Sequence, residues 1–382
     1  CVGPGLRRKR SRPVRPPGTP ATRARKLRSR PETDPRRGET AREGRRVAGP
    51  VAPPADSGAG APGSAAPLTS RDAPSMQIRF YGVRGSIPSP GPATASFGGN
   101  TSCVHLRLAD GTDLVFDAGT GARGLGVDLA GGATPIHLLL THSHFDHIQG
   151  LPFFAPLQDP ERPIHVVEGT RRSGAMGALG QLNGHNFPME LESVPARIAS
   201  VEDVDAFFAP AGYLLQRRTL NHPGGGQAYR VDADGCALAF VTDNELVPPD
   251  APATTWEDWV HFCAGADVLV HDAQYVDADL PAKHGWGHSL VSQVRELAHE
   301  AGVGCLVLYH HDPDRTDREV ERILRESEAW FEARGSRTRC LCAWEGLQLA
   351  VDRDARGRTR LAVNQVRPTN VADPIPAGLK VR

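Results

Sequence analysis

With 382 residues, 39% of them hydrophobic, the chain can bury a sizeable core, and its 44 Lys+Arg against 44 Asp+Glu leave no net charge. That average conceals a split: residues 1–75 hold 17 basic and 6 acidic side chains, while the remainder holds 27 and 38, with all fifteen histidines. No apolar run is long enough to span a membrane and the basic start has no apolar stretch behind it, so neither a spanning helix nor a secretory signal is expected. Residues 1–75 are rich in Arg, Pro, Gly, Ala and Ser. They cannot offset the entropy of folding and are expected to be a disordered basic extension, able to bind nucleic acid or an anionic surface. Met76 opens the first ordered pattern, MQIRFYGVRGS, so the extension could also reflect a misassigned start.

From there the pattern predicts strands over 77–81, 102–108 and 113–116, then a buried strand over 135–140. Further strands follow over 213–220, 228–231 and 236–241. Next comes a strand over 267–270 and a helix over 289–301, with Leu290, Val291, Val294, Leu297 and Ala298 on one face. A strand over 305–309 precedes a helix opened by the capping pair Thr316 and Glu319, with Val320, Ile323, Leu324 and Phe331 inward. Two β-rich halves, each followed by helices, predict an α/β fold: a four-layer αββα sandwich over 76–353, with 354–382 as a C-terminal tail. Seven scattered cysteines (Cys1, Cys103, Cys236, Cys263, Cys305, Cys340, Cys342) read as reduced thiols of a cytoplasmic protein rather than a disulfide framework. Cys340 and Cys342 share one face of a strand, where packing is a better explanation than a metal pair.

The chemistry concentrates in THSHFDH, residues 141–147, directly after the buried run that ends at Leu140. One strand-end histidine needs no special reason. His142, His144, Asp146 and His147 together do, because neutral imidazoles and carboxylates gain little from one another without a cation between them. His142 and His144, two apart, can grip one divalent ion; Asp146 and His147, half a turn on, can reach a second. The remaining ligands must come from distant sequence. His222 in LNHPGGG, Asp243 in FVTDNE, and His310 or His311 in LVLYHHDP each follow an apolar strand as THSHFDH does.

HSHFDH resembles the HxHxDH signature of the metallo-β-lactamase superfamily, and the later residues fall in that superfamily's order over nearly all of 76–350. GVRGSIPSPG resembles its opening glycine-rich loop, GGNTSC the next turn, and LVFDAGTG the strand that ends in a structural aspartate, here Asp117. Gly287-His288-Ser289 and LVLYH are closest to the branch containing the tRNA 3′-processing endonuclease and the class II cyclic-nucleotide phosphodiesterases. The resemblance implies two divalent ions, zinc with manganese as the alternative. One would be held by His142, His144 and His222, the other by Asp146, His147 and His310, with Asp243 bridging both. His310 is preferred to His311 because it directly follows the apolar strand end. Asp117 is expected to hold a ligand imidazole by its free N–H.

The implied activity is hydrolysis by a metal-bound hydroxide, with Asp146 orienting the nucleophile. His288, paired with Asp272, would protonate the leaving group; the endonuclease relatives carry a glutamate in that place, one methylene longer than Asp272. His284 is a lesser candidate for substrate contact, and Arg84 for a phosphate. A small or cyclic phosphodiester fits best, because an acidic globule repels a polyanion and 148–221 holds no basic, glycine-rich arm. The alternatives are a carboxylic-ester, lactone or β-lactam hydrolase on the same two metals, a tRNA 3′-processing endonuclease, and a non-catalytic metal-binding member. No membrane partner is expected, and a homo-oligomer is compatible with the sequence.

Overall fold

The computed structural model describes residues 74–169 and 177–366. The basic extension read over 1–75 therefore lies outside the described residues except for Pro74 and Ser75. Strand β1 (Met76–Gly82) alternates as its sequence does, burying Met76, Ile78 and Phe80 while Gln77 and Arg79 stay partly open. β2 (Cys103–Leu108) and β3 (Asp113–Phe116) pair antiparallel. Helix α1 (Ala122–Leu129) then crosses to β4 (Ile136–Leu140), parallel to β3. The short α2 (Phe145–Ile148) follows, and β5 (Pro163–Glu168) and β6 (Arg197–Ser200) extend the parallel run.

After α3 (Val204–Phe208), β7 (Leu214–Thr219), β8 (Gln227–Ala233) and β9 (Cys236–Val241) form an antiparallel meander. A parallel half winds on from it through α4 (Trp256–Cys263), β10 (Val268–Asp272), α5 (Val291–Glu300) and β11 (Cys305–Tyr309). It ends with α6 (Asp317–Ala333) and β12 (Arg339–Cys342). β13 (Leu347–Arg353) returns beside β1, and β14 (Thr359–Gln365) pairs with β13.

Two sheets result, one ordered β14-β13-β1-β2-β3-β4-β5-β6 and the other β12-β11-β10-β9-β8-β7. Side-chain alternation sorts their faces. On β4, Leu139 joins the core that also holds Phe80, Phe116 and Phe240, whereas Leu138 and Leu140 turn to the opposite face with α1. On the second sheet, β9 and β11 are buried along their whole length because the first sheet covers one face and helices the other. Val294 and Leu297 of α5 and Val320 and Ile323 of α6 close that outer face. The arrangement is the expected four-layer αββα sandwich.

Differences from the sequence reading are local. The helix read over 289–301 begins at Val291, because Leu290 is extended and its N–H donates to the Gln293 side chain. Thr316 and Glu319 form the expected reciprocal cap of α6. Residues 354–382, read as a tail, supply β14, where Leu361 and Val363 pack partly against the core. Residues 367–382 lie outside the described residues. All six described cysteines are free and buried, Cys340 and Cys342 on β12 among them.

Arg84 does not face a phosphate. It is fully buried, and its guanidinium donates to the carbonyls of Gly98, Asp312 and Arg315 while lying 3.6 Å from Asp317. One side chain thus ties the opening glycine loop to the segment after β11. Arg84→Met is expected to cost about 3 kcal/mol or more, since it leaves one buried and two half-buried carbonyls without this donor. A thermal melt should fall by roughly 5 °C or more.

Candidate metal centre

β7 and β8 run antiparallel, as do β8 and β9, so β7 and β9 share a direction with β10 and β11. The carboxyl ends of these four strands and of β4 meet at one edge of the sandwich, the usual place for a site in parallel sheets. His142 and His144 follow β4, and α2 carries Asp146 and His147. His222 follows β7, Asp243 follows β9, Asp272 ends β10, and His310 follows β11. At two of these ends, and at the end of β3, the chain is strained. Asp117 (φ 60°), Asp243 (φ 53°) and His310 (φ 57°) lie in the left-handed region that glycine favours, and packing must hold them there.

Two ligand sets share one carboxylate. His142, His144, His222 and Asp243 bring one ligand atom each within 4.8 Å of one another, and so do Asp146, His147, Asp243 and His310. The two oxygens of Asp243 divide between them. Oδ2 lies 3.6 Å from His142 Nε2 and 3.7 Å from His222 Nε2, while Oδ1 lies 3.2 Å from His147 Nε2 and 3.1 Å from His310 Nε2. Asp146 Oδ2 stands 3.2 Å from both His147 Nε2 and His310 Nε2.

The opposite ring nitrogens are held from behind. His147 Nδ1 meets Asp117 Oδ2 at 2.8 Å, His310 Nδ1 meets Gln274 Oε1 at 2.8 Å, and His222 Nδ1 meets the Gly287 carbonyl at 3.0 Å. Each acceptor fixes the N–H on Nδ1, leaving a lone pair on Nε2 directed inward. Asp117 is itself gripped by the Thr141 backbone N–H and hydroxyl, and the Ser86 N–H donates to Asp146 Oδ2 at 2.7 Å. Yet the buried Nε2 atoms of His142 and His147 find no hydrogen-bond partner. Buried polar atoms are rarely left so, and a cation between the ligand sets would satisfy both.

The electrostatics agree with that fit. Burial holds His142 well below the usual imidazole range and His222 at about 4, so both are neutral, as a ligand must be. Burial also opposes charge on His147, but the carboxylates of Asp243, Asp146 and Asp117 outweigh it and drive its pKa well up. In the absence of cations, a proton on His147 compensates those carboxylates.

His288 lies against the same cluster, its ring stacked on His310 at 5.2 Å and edge-on to His222 at 5.3 Å. Its Nδ1 is 2.8 Å from Asp272 Oδ2, so the shorter aspartate spans the gap. Burial disfavours charge on His288, yet Asp272 overcomes this and, without cations present, its pKa is pushed up to about 9. Asp272 also accepts from the backbone of Asn244 and Gln274, so this carboxylate holds the turn after β10 as well as orienting His288.

Residues 112–311, over half of the chain, match the beta-lactamase superfamily domain. The chain belongs to the metallo-β-lactamase superfamily. It is 26% identical over 277 residues to a ribonuclease Z of Haloarcula marismortui, covering 62% of this chain and 86% of that protein. Among solved structures it resembles the metallo-β-lactamase-fold protein YhfI of Bacillus subtilis (TM-score 0.51, 16% identity, 72% of this chain and 98% of that one). It also resembles a diphosphatase of the PhnP family (TM-score 0.50, 18% identity, 72% and 97%). Like other hydrolases of the metallo-β-lactamase superfamily, this protein is a metal-dependent hydrolase. No helix among the described residues is long and apolar enough to cross a membrane.

For this superfamily member, the structure brings His142, His144, Asp146, His147, His222, Asp243, Asp272, His288 and His310 into one constellation. His311 is not part of it; its Nε2 faces the Ala343 carbonyl at 2.9 Å. His284 stays more open, near the Val247 carbonyl and Glu245. Sequence reasoning missed Gln274, Ser86, Thr141 and Glu245, whose carboxylate takes the N–H groups of Gly285 and Gly287.

Proposed function

We propose that this protein hydrolyses a small or cyclic phosphodiester with two divalent ions, zinc or alternatively manganese. His142, His144 and His222 would hold one, Asp146, His147 and His310 the other, and Asp243 both. Ions bound there supply a water of lowered pKa and positive charge for a phosphoryl oxygen.

The protein's own residues do the rest. Asp146, fixed by the Ser86 N–H, orients the attacking water. As the phosphorus–oxygen bond to the leaving group breaks, His288 gives that oxygen a proton, and Asp272 holds the imidazole by Nδ1 and favours its charged form. The observation that carries this reading is the His288–Asp272 pair beside both ligand sets, since an alkoxide leaving phosphorus needs a placed acid.

A second reading, RNA 3′-end cleavage, draws support from the relative named ribonuclease Z. The charge of residues 76–382, 27 basic against 38 acidic, disfavours a polyanion. A panel of cyclic nucleotides, an aryl phosphodiester, precursor tRNA, a lactone and a β-lactam, assayed on metal-loaded protein, separates these readings. Turnover of a small phosphodiester and not of precursor tRNA is expected; turnover of the lactone or β-lactam alone would refute the phosphodiesterase.

A further inference from the structure

The turn after β10 carries two polar side chains that serve different parts of the site. Asp272 meets His288, and Gln274 meets the second ligand set. Gln274 is buried, and its amide is engaged at both ends. Oε1 lies 2.8 Å from His310 Nδ1, and Nε2 donates to Ser86 Oγ at 3.3 Å.

Ser86 stands in the left-handed region at φ 63°, with the Ile87 N–H bonded across it to the Gly85 carbonyl at 2.7 Å. That tight turn brings the Ser86 N–H to Asp146 Oδ2, 2.7 Å away. A serine in this conformation costs free energy and persists only where its surroundings hold it. Here the Gly85 N–H is bonded to the His311 carbonyl, and the Gln274 amide meets the Ser86 hydroxyl. The packing beneath is close. A Cβ on Gly85 would come 2.5 Å from the His310 ring and 2.6 Å from Gln274 Oε1, so only glycine lets the loop settle there.

These contacts close a ring. His310 Nε2 and the Ser86 N–H both meet Asp146 Oδ2, at 3.2 and 2.7 Å. Gln274 joins His310 to Ser86 from the other side. Asp146 and His310 belong to the second ligand set, with His147 and the shared Asp243. Two of its ligands therefore depend on one amide. An amide suits this task, because one end accepts the imidazole N–H while the other donates to the hydroxyl. His147 is braced separately, by the Asp117 carboxylate.

We propose that Gln274 is the positioning residue for the second ion, orienting His310 directly and Asp146 through Ser86. It sets how tightly that ion is held and leaves the ion on His142, His144 and His222 unaffected. This rests on the two-ion reading above and on no particular substrate.

Zinc affinity, read by competition with a chromophoric chelator, tests it without turnover. Gln274→Met keeps the volume and removes both hydrogen bonds. One ion should then bind roughly tenfold to a hundredfold more weakly, with the other unchanged. The weakened ion should be the one that His310→Ala removes and His222→Ala spares. Gln274→Glu retains an acceptor for His310 and should recover most of the affinity. Ser86→Ala keeps the backbone N–H, loses the hydroxyl, and should weaken the same ion by less. Adding Ser86→Ala to Gln274→Met should cost nothing further, because both changes open one ring. Unchanged affinities in Gln274→Met, or equal weakening of both ions as general damage to the fold would give, would overturn the assignment. A loss in Gln274→Glu as large as in Gln274→Met would do the same. Additive losses in the double variant would overturn the route through Ser86. A single zinc per unaltered chain, removed by His310→Ala and weakened by Gln274→Met, would uphold Gln274 and refute the two-ion reading.

Discussion

Asp243→Ala is expected to lower the metal content of both ligand sets and to slow turnover by roughly 10³-fold or more, because two cations supply several kcal/mol of charge stabilisation. The two Asp243 oxygens face different pairs of imidazoles, and among the described residues Asp243 is the side chain shared by both ligand sets. His222→Ala should act mainly on one ion, since its Nε2 faces Asp243 Oδ2 and His144 and, among the described residues, it belongs to one ligand set. Elemental analysis of purified protein reads both outcomes. Two ions per chain in Asp243→Ala would refute the bridging carboxylate. One ion or fewer in the unaltered protein, even after reconstitution, would count against the dinuclear centre itself.

His288→Ala should keep its metal content and slow turnover by roughly 10²–10⁴-fold on a substrate with an alkoxide leaving group. The loss should shrink on an aryl ester, whose leaving group is already a stable anion and takes no proton in departing. Asp272→Asn should give a smaller defect of the same kind, because the imidazole remains in place but loses the carboxylate that orients it and favours its charge. Equal losses on good and poor leaving groups would instead assign His288 to positioning. Normal turnover by His288→Ala on every ester would remove the reason to prefer phosphorus over a carbonyl, and the lactone or carboxylic-ester reading would then lead.

What could be read from sequence was local. HSHFDH announces itself because its four ligand-type side chains lie within six consecutive residues. His222, Asp243 and His310 could be found because each stands where an apolar strand runs out, and such ends converge wherever parallel strands share an edge. Gln274 could not be found that way. It acts by touching His310 from 36 residues away, and a glutamine past a strand end carries no mark of that contact.

The strand and helix periods, the two β-rich halves and the chemical class of the site were thus determined by the order of residues alone, because apolar alternation and ligand spacing are written at short range. Tertiary structure decided the rest. It chose His310 over His311 by placing His310 at positive φ, with its ring toward Asp243 and Asp146, and turning His311 to a carbonyl. It made Arg84 an internal clamp, since burial depends on which loops cover a residue and not on the residue's charge. It drew residues beyond 353 into the first sheet, because β13 offered an open edge on which a further strand could pair.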